Sequence, residues 1–265
     1  MARLIVAGAA GRMGRMLTSL IVQQPSHILV GAVEAKGVKA VGADAGEIAG
    51  VGALGVRIGD DYAAVAAPDT VTLDFTNAAA SMEHLEIAAA KGAAIVIGST
   101  GFTPEMESRA RALAPKTRTL IAPNMSIGIN VLIKLVAEAA TLLNGFDAEV
   151  LEIHHRTKVD APSGTALALA RAIAAARGQD LQKSAVFGRE GITGVRPPDQ
   201  IGVMALRGGD AVGDHTVIFA GLGERMELIH RTQSREALAS GALRAAAWLV
   251  DKPNGLYSIR DVLGL

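Results

Sequence analysis

Three glycines set between an apolar run and a helix constrain this chain more than any other feature. Arg3 to Ala7 is a short apolar stretch that reads as a buried strand. Gly8-Ala9-Ala10-Gly11-Arg12-Met13-Gly14 follows, and a helical pattern runs from Arg12 to about Gln24, where Pro25 stops it. Ile28 to Val33 is a second apolar strand and ends at Glu34, twenty residues after Gly14. Strand, glycine turn, helix, strand and terminal acid is the order that binds a dinucleotide. Gly8 makes the tight turn, Gly11 lets backbone approach a pyrophosphate, and Gly14 lets helix and strand pack closely. Glu34 stands where it can accept hydrogen bonds from a ribose. The spacing is G-x-x-G-x-x-G, with Ala10 standing where the common pattern has its second glycine.

The remainder of the first half continues the alternation. Val71 to Phe75, Ala94 to Ile97 and Thr119 to Ala122 read as strands, giving five in all. The intervening helices are an Asn77-capped one to Lys91 and one from Pro104 to about Leu113. Tyr62 to Ala67 reads as a short helix. Residues 35–60 show no period and read as a loop with a flexible insertion. His84 reads as a surface residue, since polar side chains mostly stay in water. The loop Gly98-Ser99-Thr100-Gly101 follows a strand, as Pro123-Asn124 does, and the C-terminal edge of a parallel sheet is where ligands bind.

A long helix opens near Ser126 and ends before Asn144-Gly145. Ala148 to Ile153 then alternates like a strand. It runs into His154-His155-Arg156-Thr157-Lys158-Val159-Asp160, a Pro162-Ser163-Gly164-Thr165 turn, and an alanine-rich helix counted from Gly164 to about Arg177. Ser163, Gly164 and Thr165 suit the helix start, where free N–H groups and the helix dipole attract an anion. Two imidazoles, a lysine and such an end suit a small carboxylate substrate that also needs a proton. Each residue alone also fits a solvated loop.

Residues 179–199 read as a long surface loop. The runs 201–206, 212–220 and 225–232 alternate polar and apolar residues, with a hairpin at Gly221 to Glu224. That pattern predicts a sheet with one covered face and a free face that another subunit could cover. Arg235 to Val250 reads as a helix, and the amphipathic tail from Tyr257 reads as packing back on the first domain.

Composition narrows the function. Twenty-six basic residues balance 26 acidic ones, and aromatics make up 3%, so neither nucleic acid nor a membrane surface is called for. The chain has no cysteine, which excludes disulfides, thiolate catalysis and thiolate metal sites. No metal is expected. With no apolar run of spanning length and no signal-peptide pattern, a cytoplasmic protein is expected. The site features leave open another two-domain nicotinamide dehydrogenase, acting on a sugar or amino acid, or a regulator that senses NAD(H) without turnover.

The stretch from His154 to Ala166 resembles the signature of the 4-hydroxy-tetrahydrodipicolinate reductase family, also called dihydrodipicolinate reductase. The likeness extends over nearly the whole chain: Val6 to Gly14, Asp74-Phe75-Thr76, Gly98 to Phe102, Ala122 to Ser126 with Gly128 and Asn130, Gly213 to Thr216, Gly255-Leu256-Tyr257 and Arg260-Asp261. The resemblance implies an α/β protein with an N-terminal Rossmann-type parallel sheet and a smaller α+β domain whose sheet is mixed and largely antiparallel. Residues 1–125 and 236–265 would form a discontinuous dinucleotide-binding domain, and residues 126–235 a substrate-binding and oligomerisation domain. The family is usually a homotetramer and reduces its substrate with NADH or NADPH in lysine and diaminopimelate synthesis.

Carried onto this sequence, the resemblance assigns Gly8, Ala9, Ala10, Gly11, Arg12 and Met13 to the pyrophosphate and Glu34 to the adenosine ribose. Gly98, Ser99 and Thr100, with Ala122, Pro123, Asn124 and Met125, line the nicotinamide side. His154 and Lys158 match the proton donors, and His155, Gly164 and Thr165 the substrate-carboxylate contacts. One departure concerns cofactor choice. Members that favour NADPH often carry an arginine after the acid, and Ala35 stands there instead. Arg12 and Lys36 can compensate only in part, so NADH is expected to serve at least as well as NADPH.

Overall fold

The first apolar run forms strand β1 (Ala2–Ala7), in which every residue but Arg3 is buried. A strand hidden on both sides needs a helical layer on each. The chain builds those layers by alternation: α1 (Arg12–Val22), β2 (His27–Val33), α2 (Ala45–Ala49), β3 (Ile58–Gly59), β4 (Thr70–Asp74), α3 (Ala78–Lys91), β5 (Ala94–Ile97), α4 (Pro104–Leu113) and β6 (Arg118–Ile121). It continues with α5 (Ile127–Leu142), β7 (Asp147–His154), α6 (Gly164–Ala176), α7 (Leu181–Ser184), β8 (Ala185–Val186), β9 (Ile201–Arg207), β10 (Gly213–Ala220) and β11 (Arg225–Thr232). It closes with α8 (Glu236–Leu249), β12 (Gly255–Tyr257) and α9 (Ile259–Leu263). The computed structural model describes every residue from Met1 to Leu265. Two compact units result: Met1–Ile127 with Glu236–Leu265, and Gly128–Arg235.

The first unit is one parallel sheet in the order β12-β6-β5-β4-β1-β2-β3. Apart from the added β12, this is the doubly wound order of dinucleotide-binding folds. Alternate residues feed opposite layers. Leu4, Val6, Val71 and Leu73 face Leu17 and Ile21 of α1 and Ala242, Leu243 and Ala246 of α8. Ile5, Ile95 and Ile97 face Leu85 and Ala88 of α3 and Ala110 of α4. Each fully buried Leu, Ile or Val contributes roughly 1.5–3 kcal/mol.

The second unit is a mixed sheet, ordered β11-β10-β7-β9-β8. Strand β10 runs antiparallel to β11 and β7, while β7, β9 and β8 are parallel. Burial alternates strictly along β7 and β10. The covered face carries Ala148, Val150, Val217 and Phe219, packed with Leu132 and Val136 of α5 and Leu169 and Ile173 of α6. The other face leaves Leu206 and Ile229 exposed.

Three expectations change. The first sheet has seven strands rather than five, because the two-residue β3 and the three-residue β12 are too short to show a period. Residues 35–60 are ordered by a carboxylate rather than an apolar stripe. Asp44 caps α2 through Gly46 and Glu47 and also accepts the N–H groups of Leu54 and Gly55. The 179–199 segment holds α7 and β8, and its remainder is pinned by arginines. Arg196 reaches Asp147 at 2.6 Å and Glu149 at 3.1 Å, and Arg189 forks onto Glu149. Neither device leaves a hydrophobic pattern.

Gly14 is where α1 meets the turn after β1. A Cβ there would lie 2.1 Å from the Gly8 carbonyl oxygen and 2.7 Å from the Ala9 Cα. Backbone atoms cannot rotate away, so Gly14→Ala is expected to cost about 1–3 kcal/mol. A lowered urea midpoint at unchanged slope checks this, and an unaltered midpoint would show that the turn yields freely.

Candidate active site

The C-terminal edge of the parallel sheet gathers most of the residues assigned to a dinucleotide. Gly8 turns the chain at φ +71°, a left-handed conformation that glycine adopts without strain. Gly11 is the N-cap of α1 and no side chain caps it, which leaves first-turn N–H groups to an anion. Glu34, at the end of β2, accepts the Ala10 N–H at 3.0 Å and the Ala35 N–H at 3.1 Å. Each carboxylate oxygen keeps lone-pair capacity for a hydroxyl donor. The chain order of β1, β2 and β4 reverses direction at β1, the switch point where such sheets bind ligands. A glycine turn, an uncapped helix end and an acid one strand away fit a dinucleotide.

The second small-residue loop leaves β5 and runs beside residues that follow β6. Ser99, Thr100, Phe102, Pro123, Tyr257 and Asp261 help line a cavity of about 590 Å³. Ala9, Ala122 and Met125 are buried in the core. Asn124 accepts the Ser126 N–H and folds its own turn. Arg12 is exposed at the start of α1.

His84 corrects its sequence reading. Its side chain is only 18% exposed, and its Nδ1 lies 2.7 Å from the wholly buried Asp74 carboxylate. Asp74 also accepts the N–H and hydroxyl of Thr76. Burial alone would push the Asp74 carboxyl up, but the hydrogen bonds from His84 and Thr76 outweigh it and hold it below the usual range. Ser81, on the same helix as His84, bonds Ser99 at 2.7 Å. The loop after β5 is therefore tied to α3 by a polar contact that helical periodicity hides.

In the second unit, alternation along β7 places Glu152 and His154 on the same face as Ala148 and Val150, at the strand's end. His154 Nδ1 is 2.5 Å from Glu152 Oε2. The other Glu152 oxygen accepts the Ser163 N–H at 3.0 Å, and Arg207 from β9 forks onto both oxygens at 2.9 and 3.0 Å. Ser163 caps α6 by accepting the Ala166 N–H, with Gly164 exposed and Thr165 half-buried in the first turn. His215 of β10 meets Ser163 Oγ at 3.2 Å, and its ring stands edge-on to His154 at 5.3 Å. Lys158 pairs with Asp160 at 2.8 Å, and His155 bonds Thr157.

The geometry thus joins His154 to the start of α6 through Glu152, while the Lys158 and His155 side chains bond residues only two positions on, Asp160 and Thr157. Glu152 and His215 fall inside stretches that the sequence marks, but neither is given a role there, and Arg207 is not singled out. A signal for Glu152 was present: it lies two residues before His154, hence on the same strand face. Arg207 and His215 depend on sheet register, which local sequence does not reveal.

A doubly wound sheet with a glycine turn at its switch point defines a dinucleotide-binding fold, joined in this chain to a second unit with His154 and Lys158 before a capped helix. Comparison with known proteins specifies it. Residues 2–125 match the family description dihydrodipicolinate reductase, N-terminus, and residues 128–263 match dihydrodipicolinate reductase, C-terminus. The 4-hydroxy-tetrahydrodipicolinate reductases of Anaeromyxobacter dehalogenans and Pelobacter propionicus are 50% and 49% identical over 266 aligned positions, covering all of this chain and 98% and 100% of theirs. A dipicolinate-bound dihydrodipicolinate reductase from Paenisporosarcina shares the fold, with a TM-score of 0.76 at 24% identity over 97% of each chain. The chain belongs to the dihydrodipicolinate reductase family. No helix is long and apolar enough to cross a membrane.

His215 supplies a test of the site's electrostatics. Burial pushes its imidazole down to about 4, and the neighbouring His154 pushes the same way. Between that value and its ordinary 6.5 the unfolded chain binds a proton that the folded chain refuses. The group's contribution is therefore complete above pH 6.5 and is lost as pH falls toward 4. Its size is on the order of 3 kcal/mol at most. His215→Gln should show a shallower fall of urea stability between pH 6.5 and 4.5 than the wild type, and equal slopes would show that His215 titrates normally.

Proposed function

We propose that the first unit holds NADH or NADPH and that the second holds the substrate and supplies the proton. The chain is a reductase of the lysine and diaminopimelate pathway, converting 4-hydroxy-tetrahydrodipicolinate to tetrahydrodipicolinate with loss of water. The observation that carries the division of labour is the carboxylate of Glu152, which bonds both His154 and the cap of α6. One side chain thereby joins a proton carrier to an anion-binding helix end.

Gly8 to Met13 would receive the pyrophosphate, Glu34 the adenosine ribose, and residues 98–100 and 122–125 the nicotinamide side. When bound, the reduced cofactor supplies a hydride. The first-turn N–H groups of α6 at Gly164 and Thr165, with His155, orient a substrate carboxylate. His154 and Lys158 deliver the proton that balances the negative charge left by hydride addition. Lys158 is free to do so because its pairing with the largely exposed Asp160 is weak. The dipicolinate bound by the Paenisporosarcina enzyme supports, by analogy, a small dicarboxylate substrate. We further propose a cytoplasmic homotetramer assembled on the outer face of the second sheet, where Leu206 and Ile229 are exposed.

Mixing the protein with NADH, pyruvate, aspartate semialdehyde and the aldolase that joins them should consume reduced cofactor, read by absorbance. His154→Ala and Lys158→Ala should each lower turnover by about 10²-fold or more with the NADH Kd unchanged. Turnover that survives both changes together refutes the assignment.

Cofactor preference follows from Glu34 and Ala35. The carboxylate repels a 2′-phosphate, and no arginine fork follows it. NADH should equal or exceed NADPH in kcat/KM. Ala35→Arg should move the ratio toward NADPH, and added salt should weaken NADPH more than NADH. A wild-type preference for NADPH of about tenfold, worth about 1.4 kcal/mol, would show that Arg12 and Lys36 outweigh Glu34.

A further inference from the structure

We infer that Glu152 and Arg207 are positioning residues for the reaction: they fix which nitrogen of His154 carries its permanent proton and lock that ring to the start of α6. The inference rests on the reading of His154 as a proton donor and deepens it.

The argument starts from burial. Glu152 is 1% exposed, and a carboxylate so placed must fill its lone pairs or take up a proton. It fills them four times, with two bonds from Arg207, one from His154 and one from the Ser163 N–H. Burial would raise its carboxyl, but these bonds, the Arg207 fork first, hold it below the usual range. The group is therefore ionised near neutral pH and can only accept. At 2.5 Å from it, His154 Nδ1 must carry hydrogen whether the ring is neutral or charged. The proton that His154 gives up and regains is then the one on Nε2.

Arg207 is what keeps that assignment in one sense. It sits opposite His154 in the β7–β9 register, forks onto Glu152, and also donates to the Asp160 carbonyl. It thus clamps the loop between His154 and Ser163 at both ends. Without the fork, the desolvated carboxyl loses its strongest reason to stay ionised; once protonated it could donate to Nδ1, which moves the ring hydrogen to Nε2. Gly213 completes the seat, since a Cβ there would lie 2.9 Å from His154 Nε2.

Ring-nitrogen NMR of the full-length protein labelled with ¹⁵N-histidine reads the tautomer directly, with His154→Ala assigning the signals. The wild type should show His154 with hydrogen on Nδ1. Glu152→Gln can present an amide N–H to Nδ1. It should populate the Nε2–H form and lower kcat by about 10- to 10²-fold, with the substrate KM and NADH Kd changed less than threefold. Glu152→Asp, which keeps the charge, should restore part of the rate and the Nδ1–H form. If Glu152→Gln does not fold, Arg207→Lys, which keeps a charge without the fork, should show the same mixed tautomer. A wild-type Nε2–H tautomer, or an unchanged tautomer and kcat in the variants, overturns the inference. Full turnover by His154→Ala would instead refute the donor reading, with the tautomer result standing separately.

Discussion

A charge hidden from water is tolerated only when every face of it is answered, and that rule organises the second unit. Glu152 draws partners from three directions: its own strand, the neighbouring strand β9 and the cap of α6. Single-partner deletions around such a group leave an uncompensated charge, which is why they are costly. The same need fixes geometry, because few arrangements satisfy four donors at once. Stability and chemical orientation here come from the same four hydrogen bonds.

The first unit obeys a different constraint. Parallel strands joined by helical crossovers deliver all their C-terminal ends to one edge. Gly8, Glu34, Asp74 and Gly98 therefore converge although the sequence spreads them over ninety residues. Buried polar contacts stiffen that edge. The Asp74 carboxylate sits between His84 and Thr76, and Ser81 reaches across to Ser99.

The parts of this arrangement legible in sequence were those written in local pattern. The glycine turn, the acid at the end of β2, the Ser163 cap and the strand leading to His154 each depend on a few adjacent residues. The illegible parts depend on pairing at long range. Arg207 meets Glu152 across 55 positions, and His215 meets Ser163 across 52. His84 looked solvated because its partner lies one element back, beneath the helix that carries it. Residues 35–60 looked shapeless because Asp44 orders them through backbone N–H groups, an interaction with no periodic signature. Apolar rhythm thus revealed the scaffold, while the polar joints that aim it needed the register of the strands.

The route of the chain through the first unit has a consequence for synthesis. The second unit is complete in sequence once Arg235 has been made, whereas the parallel sheet still lacks α8 and β12. Until α8 arrives, the face bearing Leu4, Val6 and Leu73 has no cover from Ala242, Leu243 and Ala246, and the edge of β6 is open to a foreign strand. A ribosome therefore finishes the inserted unit before the one that began first. The nascent first half spends that interval as a sticky, unclosed sheet, the stage at which a chaperone has most to hold.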